Sequence, residues 1–200
     1  MSASLVGSEM CIRDRYNMGN VILQVTQNCN LRCEYCVYSG SYINRVHTNK
    51  RMSFETAVKT IDFLAAHSLN CNEVSIGFYG GEPLLEIELI KKAVSYAKEV
   101  FGEKKVNFNM TTNATLLNMD IADFLVQNDF NITISLDGPR NIHNKNRIFA
   151  NSNKGTFDLI MENIALIREK YPFFDKKISF NAVIDLKQNV SVSYTHLRAH

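Results

Sequence analysis

The sequence lacks a strong charge of either sign and lacks any long apolar run. Its formal net charge is +2 over 200 residues, so no field is present that would demand a nucleic acid or an anionic membrane as partner. No apolar run approaches the ~20 residues that a membrane-spanning helix needs. These absences predict a globular protein that acts on neither nucleic acid nor a membrane.

Internal repeats and low-complexity linkers are also absent. The composition is 46% hydrophobic and 21% charged, which is typical of one domain with a sizeable core. The five cysteines do not form a disulfide framework, because three of them are crowded into one short motif. We therefore expect a reducing, cytoplasmic setting.

The two ends of the chain do not continue the patterns of their neighbours. Residues 1–15 and 191–200 resemble translated sequencing-adapter read-through, so we expect the interpretable domain to span residues 16–190. On this interpretation Cys11 and His196 have no function, and the native protein continues beyond both ends.

Strand-like and helix-like segments alternate between these ends. Ser53 and Asn118 are candidate N-caps of the helices that follow them, and Gly102 is a candidate helix stop. The alternation predicts an α/β fold with a parallel sheet and right-handed crossovers. A polar loop is expected between the fourth strand and the next helix. The predicted strands are 21–26, 74–79, 106–111, 131–136 and 177–184.

Unusual polar motifs directly follow the first four predicted strands. Because the carboxyl ends of parallel strands share one face of a sheet, these motifs are expected to converge on one site. In chain order they are the cysteines 29, 33 and 36, the Gly-Gly-Glu-Pro turn 80–83, the segment 111–113 and the segment 135–137.

The cysteines follow the spacing C-x3-C-x2-C, and no fourth cysteine lies nearby. A structural zinc site or an electron-carrier cluster normally uses four protein ligands. Three thiolates on one loop would leave a metal position open, where a small molecule can bind and react. The alternative is a zinc site completed by His47, the only nearby candidate, although His47 lies in a basic loop without ligand-like spacing.

The motif Cys29-Asn-Leu-Arg-Cys33-Glu-Tyr-Cys36 resembles the radical S-adenosylmethionine (radical SAM) enzymes. The resemblance implies that the three cysteines bind three irons of a 4Fe-4S cluster, whose fourth iron binds the amine and carboxylate of SAM. It implies reductive cleavage of SAM to a 5′-deoxyadenosyl radical that abstracts a substrate hydrogen. The implied fold is a partial (β/α)6 TIM-like barrel, truncated here after about the fifth strand.

The resemblance also implies cofactor-binding roles outside the cysteines. The Gly-Gly-Glu-Pro turn resembles the motif that binds the methionine amine, with glycines that allow close backbone approach and a glutamate of complementary charge. The tyrosine of the cysteine motif corresponds to the residue beside the adenine. A serine ending the fourth strand corresponds to the ribose-binding residue, and an arginine twelve residues later to the carboxylate-binding residue. The implied residues are Tyr35, Gly80, Gly81, Glu82, Pro83, Ser135 and Arg147.

Several further residues receive simpler interpretations. Asn113 either lines the site or makes a turn, and Asp137 is assigned to a turn. Asn144 stands where the family usually has Asp, which would weaken any ion pair made there. His143 lacks partners at catalytic spacing and is predicted to be solvated, and Cys71 is predicted to be an inert thiol.

The segments 79–85, 110–113, 135–139 and 155–157 resemble the SPASM-type branch, which modifies peptides and proteins and carries auxiliary iron–sulfur clusters in a C-terminal extension. Segments 37–40 and 49–55 resemble maturases of cysteine-rich or repeat peptides, which implies thioether formation on a ribosomally made peptide. An external electron donor such as flavodoxin or ferredoxin is implied, and no catalytic residue of the substrate step is assignable. The alternatives are an anaerobic sulfatase-maturing enzyme that forms formylglycine and a non-catalytic iron–sulfur electron-transfer or sensor module.

Overall fold

The structure is a computed structural model that describes residues 16–38 and 47–184. Predictions for residues 1–15, 39–46 and 185–200, including those for Cys11 and His196, lie outside the described residues. No helix in the described ranges is both long enough and apolar enough to cross a membrane.

One parallel sheet of five strands forms the centre of the structure, in the order of the chain. The strands are β1 (Asn20–Thr26), β2 (Glu73–Gly80), β3 (Lys105–Thr112), β4 (Asn131–Ser135) and β5 (Ile178–Asn181). The helices are α1 (Phe54–His67), α2 (Ile87–Phe101), α3 (Met119–Gln127), α4 (Arg140–Asn146) and α5 (Phe157–Lys170), with short 3-10 segments at Pro83–Glu86 and Pro172–Lys177. The predicted α/β architecture is confirmed, and each strand pairs with the next as in a partial TIM-like barrel.

Capping residues set the ends of the helices where the sequence predicts them. Ser53 Oγ accepts the backbone N–H of a residue in the first turn of α1 at 3.1 Å, and Asn118 Oδ1 does the same for α3 at 2.9 Å. Gly102 ends α2 with a φ of 56°, a left-handed conformation that glycine adopts without strain.

Two predictions of local structure are wrong. The expected polar loop after β4 contains α4. In its first turn the N–H groups of Ile142 and His143 both donate to the carbonyl of Pro139. Strand β5 ends at Asn181 rather than at residue 184, because the N–H of Val183 donates to the Asp137 carboxylate at 3.1 Å. The second difference arises from a contact between residues that are 46 positions apart in the sequence.

The alternation of residues along each strand separates the core from the site. Apolar side chains of one sheet face are buried, and the rings of Phe78, Phe108 and Phe130 stack there with centroids 5.4–6.4 Å apart. The opposite face carries mostly uncharged polar side chains. At the carboxyl ends of the strands, Thr111 and Ser135 on that face line a cavity.

Candidate functional site

A cavity of about 250 Å³ lies at the carboxyl ends of the strands, where the predicted motifs converge. The parallel register brings these ends together even though the motifs are spread over more than a hundred residues of sequence. The predicted site residues that line the cavity are Cys29, Cys33, Tyr35, Cys36, Gly80, Gly81, Ser135 and Arg147.

The Gly80–Gly81 turn packs directly against the segment that leads into the cysteine motif. A Cβ on Gly80, which has a φ of 155°, would lie 2.2 Å from the carbonyl oxygen of Thr26, and one on Gly81 would lie 2.1 Å from that of Asn28. The N–H groups of Gly81 and Glu82 donate to these same two carbonyls at 2.9 Å. Glycine is therefore required here for backbone contact, and that contact fixes the start of the cysteine loop beside the end of β2.

Glu82 and Pro83, by contrast, do not line the cavity in the described structure. The Glu82 side chain is fully buried and accepts three hydrogen bonds, from Leu84 N–H at 3.1 Å, Thr112 Oγ1 at 2.6 Å and Asn113 N–H at 2.7 Å. Burial raises the pKa of its carboxyl to about 7, although these donors act in the opposite direction. Besides the cofactor-binding role that the resemblance implies, the Glu82 side chain therefore connects the ends of β2 and β3 by hydrogen bonds.

The three cysteine thiols face the cavity in surroundings that suit sulfur ligands of iron. Backbone N–H groups lie 3.4 Å from two of the sulfurs, Leu31 N from Cys29 Sγ and Tyr38 N from Cys36 Sγ. Burial raises the pKa of Cys29 to about 12 and that of Cys33 to about 11, so a bound cation is what would hold these groups as thiolates. Three thiols on one short loop therefore fit an iron–sulfur cluster.

A single zinc ion fits the same residues poorly. Tetrahedral zinc holds its thiolate ligands ~2.3 Å from the metal, which places their sulfurs about 4 Å from one another. Across the described residues, no three His, Cys, Asp or Glu side chains are placed to share one metal ion. His47, the candidate fourth ligand, instead has its Nε2 3.1 Å from the guanidinium of Arg32.

Arg147 is buried at the cavity wall and is held by Asp137. Its Nε donates to Asp137 Oδ2 at 2.9 Å, and the Tyr35 hydroxyl donates to the same oxygen. The guanidinium also lies over the Tyr35 ring, 5.5 Å from the ring centroid. Burial disfavours the charge on Arg147, but the Asp137 carboxylate beside it raises the arginine pKa above its usual value. The assignment of Asp137 to a turn alone is therefore wrong, because its buried carboxylate joins three segments.

His143 is completely buried, so the prediction that it is solvated is wrong. Its Nδ1 accepts the N–H of Asp137 at 3.3 Å, which leaves Nε2 to donate to Thr156 Oγ1 at 2.9 Å. The Thr156 hydroxyl in turn donates to the carbonyl of Arg147 at 3.1 Å. This chain of hydrogen bonds, Asp137–His143–Thr156–Arg147, holds the backbone of both members of the ion pair.

Asn144 has a structural role that needs no ion pair. Its Oδ1 accepts the N–H of Phe157 at 3.0 Å, which caps the first turn of α5 from another segment. The side chain lies against Gly155, where a Cβ would come within 2.1 Å of the Asn144 amide carbon. The neutral amide at position 144 thus provides a hydrogen-bond acceptor for a backbone N–H at the start of α5.

Asn113 both lines the cavity and makes a turn, so the two interpretations of the sequence are compatible. Its Oδ1 accepts the N–H of Thr115 at 3.0 Å, which is the turn. Its Nδ2 donates to Asn30 Oδ1 at 2.9 Å and lies 3.8 Å from Cys29 Sγ. Neither Asn30 nor Thr115 was predicted as a site residue, although they lie one and two positions from Cys29 and Asn113.

A family model described as the radical SAM superfamily matches residues 23–189. Among curated proteins, an uncharacterised protein of Methanocaldococcus jannaschii is 38% identical over 78% of this chain and 51% of that protein. A cysteine-type anaerobic sulfatase-maturating enzyme of Clostridium novyi is 33% identical over 88% of this chain and 45% of its own length. The radical SAM cyclopropyl synthase TigE of Paramaledivibacter caminithermalis is 26% identical over 86% of this chain and 39% of its own length.

Solved structures share the fold of the described residues. Native anSMEcpe with bound AdoMet matches with a TM-score of 0.77 at 26% identity, over 90% of this chain and 49% of that chain. The same protein with bound AdoMet and the Kp18Cys peptide matches with a TM-score of 0.74 at 25% identity, over 90% and 48%. The chain therefore covers only 39–51% of the length of these relatives and solved chains.

Proposed function

The chain belongs to the radical SAM superfamily, whose members use a 4Fe-4S cluster and SAM, and we propose that it modifies a ribosomally made peptide by forming a thioether bond. Cys29, Cys33 and Cys36 are the proposed cluster ligands. When bound, the cluster supplies one electron that cleaves SAM to methionine and a 5′-deoxyadenosyl radical, which abstracts a substrate hydrogen. An external donor such as flavodoxin or ferredoxin is the proposed source of that electron.

One observation carries the proposal: the three thiols share one cavity with groups suited to a methionine moiety. The Gly80–Gly81 backbone at the end of β2 offers carbonyl groups to an ammonium. Arg147 offers a guanidinium, and because Asp137 uses its Nε, the two Nη nitrogens are the atoms that it can present to a carboxylate.

The remaining proposed contacts involve the nucleoside part of SAM. Ser135 ends β4 at the cavity and offers a hydroxyl to the ribose. Tyr35 presents a ring that can stack on adenine, while its own hydroxyl is fixed by Asp137. Burial raises the pKa of this hydroxyl, so it stays protonated and keeps Asp137 as its acceptor. These residues would orient SAM rather than take part in its chemistry.

A peptide substrate is supported by the relatives. The structure of anSMEcpe with a bound peptide has the same fold over 90% of this chain, and the sulfatase-maturating enzymes act on a protein. The sequence segments that resemble peptide maturases favour thioether formation. The 33% identity to the Clostridium novyi enzyme favours the second candidate, conversion of a sulfatase residue to formylglycine.

A non-catalytic iron–sulfur module is the third candidate. An electron carrier needs no groups that bind an amino acid, yet Arg147 and Ser135 line the cavity with the thiols. Radical SAM catalysis predicts that anaerobically reconstituted, dithionite-reduced protein releases 5′-deoxyadenosine from SAM. A Cys36→Ala variant should release none, and a Cys71→Ala variant should match the wild type, because Cys71 lies outside the cavity. A reduced cluster that leaves SAM intact would support the electron-transfer module instead.

Mass spectrometry of a modified peptide separates the two enzymatic candidates. Thioether formation removes two hydrogen atoms and keeps the cysteine sulfur, whereas formylglycine formation from cysteine replaces sulfur with oxygen. The reduced enzyme should be given SAM with either a cysteine-rich precursor peptide or a peptide from a sulfatase active site. A first peptide that loses two hydrogen atoms and keeps its sulfur supports our proposal, and loss of sulfur from the second overturns it in favour of sulfatase maturation.

A further inference from the structure

Three polar side chains form a closed ring of hydrogen bonds beside the first cysteine. Asn113 Nδ2 donates to Asn30 Oδ1 at 2.9 Å, and Asn30 Nδ2 donates to Thr115 Oγ1 at 2.8 Å. The Thr115 hydroxyl closes the ring by donating to Asn113 Oδ1 at 2.7 Å. The ring joins the cysteine loop to the loop after β3, and Asn113 and Thr115 are both buried in it.

The ring leaves only one orientation for the Asn113 amide. Its Oδ1 accepts from both the hydroxyl and the N–H of Thr115, so the oxygen and nitrogen cannot exchange places without the loss of both bonds. One hydrogen of Nδ2 is used by Asn30. The other is directed at the sulfur of Cys29, which lies 3.8 Å from Nδ2.

We propose that Asn113 is a redox-tuning residue: its amide donates an N–H···S hydrogen bond to the Cys29 sulfur and thereby raises the reduction potential of the cluster. Asn30 and Thr115 are positioning residues in this account. The inference rests on the proposed function, because it requires that Cys29 is a cluster ligand.

The physical reason is the charge on the reduced cluster. Adding one electron from the external donor makes the cluster and its thiolates more negative, so a hydrogen bond to a ligand sulfur stabilises the reduced form more than the oxidised form. Cys29 Sγ already accepts the N–H of Leu31 at 3.4 Å. Asn113 supplies a further donor from a side chain, and it can therefore be removed by substitution, unlike the backbone donor.

The test is a redox titration of the reconstituted protein without SAM, followed by electron paramagnetic resonance. Asn113→Leu keeps a similar side-chain volume and removes the donor, so its reduction equilibrium constant should fall about tenfold, which corresponds to about 59 mV for one electron. Asn113→Asp should lower the potential further, because it replaces the donor with a negative charge next to the sulfur.

Asn163→Leu is the matched control. Asn163 Nδ2 donates to the carbonyl of Ala114 at 2.9 Å, in the same loop as Asn113, yet it donates to no cysteine sulfur in the described structure. The reduction potential of the cluster in the Asn163→Leu variant should equal that in the wild type. A potential that shifts equally in Asn163→Leu and Asn113→Leu would mean that loop distortion, and not the N–H···S bond, is responsible, which overturns the inference.

Separate outcomes identify which idea has failed. If the wild type assembles no cluster through its three cysteines, the proposed function fails and the inference fails with it. If the wild type assembles a cluster and both Asn113 variants keep its potential, only the inference fails. If Asn113→Leu does not retain a cluster, Asn113→Ala decides, because it removes the same donor without adding a charge or bulk beside Cys29.

Discussion

Arg147 Nε donates to Asp137 Oδ2 at 2.9 Å, and the two side chains are only 10% and 1% exposed. The same carboxylate accepts the hydroxyl of Tyr35 and, through Oδ1, the N–H of Val183. One buried anion therefore connects the cysteine loop, the end of β4, the end of α4 and the segment after β5. A buried ion pair of this kind is sensitive to the loss of either partner, because the remaining charge is left without compensation.

Replacing Asp137 with Asn should lower the free energy of unfolding by about 3 kcal/mol or more, since Arg147 would remain buried without its counter-charge. Urea denaturation measures this loss. Asp158→Asn is the control, because Asp158 pairs with Arg140 at the surface, where both side chains are more than 60% exposed. The free energy of unfolding of Asp158→Asn should fall by no more than about 1 kcal/mol. Equal losses in the two variants would contradict the structural role given to Asp137.

Replacing Thr156 with Val should lower the free energy of unfolding by about 2 kcal/mol. The substitution removes the hydroxyl that accepts from His143 Nε2 and donates to the carbonyl of Arg147, so two buried groups lose their partner. Thr156→Ser keeps the hydroxyl and should lose about 1 kcal/mol or less. A Val variant that is no less stable than the Ser variant would contradict the role given to these two hydrogen bonds.

Glu82 should make the protein less stable as the pH rises towards neutrality. Its folded pKa of about 7 lies above the unfolded value of 4.5, because burial disfavours the carboxylate. The folded state then binds more protons than the unfolded state between these values. This contribution to stability is complete below pH 4.5 and is lost as the pH rises through about 7, by about 3 kcal/mol in total.

Urea denaturation at pH 5 and at pH 8 tests this dependence in matched variants. Glu82→Gln cannot ionise and should show a smaller fall in stability between the two values than the wild type. Glu88→Gln changes an exposed carboxylate that pairs with Lys91, and it should keep the wild-type fall. Parallel curves for Glu82→Gln and the wild type would rule out Glu82 as the source.

Replacing Gly81 with Ala should disturb the cysteine loop. The new Cβ would lie 2.1 Å from the carbonyl oxygen of Asn28, which is backbone and immediately precedes Cys29. We expect a loss of about 1–3 kcal/mol of stability and less iron bound after reconstitution. Gly19→Ala is the control, because its Cβ would lie 3.9 Å from the nearest heavy atom. Normal iron binding by Gly81→Ala would contradict the close contact between these two turns.

The local pattern of the chain was sufficient to predict the order of the elements and the place where the motifs meet. Period-two and helical patterns identify strands and helices, and a parallel sheet brings the strand ends together whatever the details of the loops. This is why the three cysteines and Ser135 could be placed at one cavity in advance, whereas Tyr35 and Arg147 were implied by the resemblance to radical SAM enzymes. The helix α4 escaped prediction because its short polar sequence is stabilised by the burial of His143 against distant partners.

The sequence by itself determined the fold class, the three-cysteine motif and the convergence of the site, because these depend on spacing and periodicity along the chain. Only the tertiary structure decided which polar residues are buried and what they contact. Asp137, His143 and Glu82 each acquire partners that lie between two and 102 residues away. Such roles depend on the desolvation of a side chain and on the geometry of its neighbours, and neither quantity can be read from residue type or local spacing.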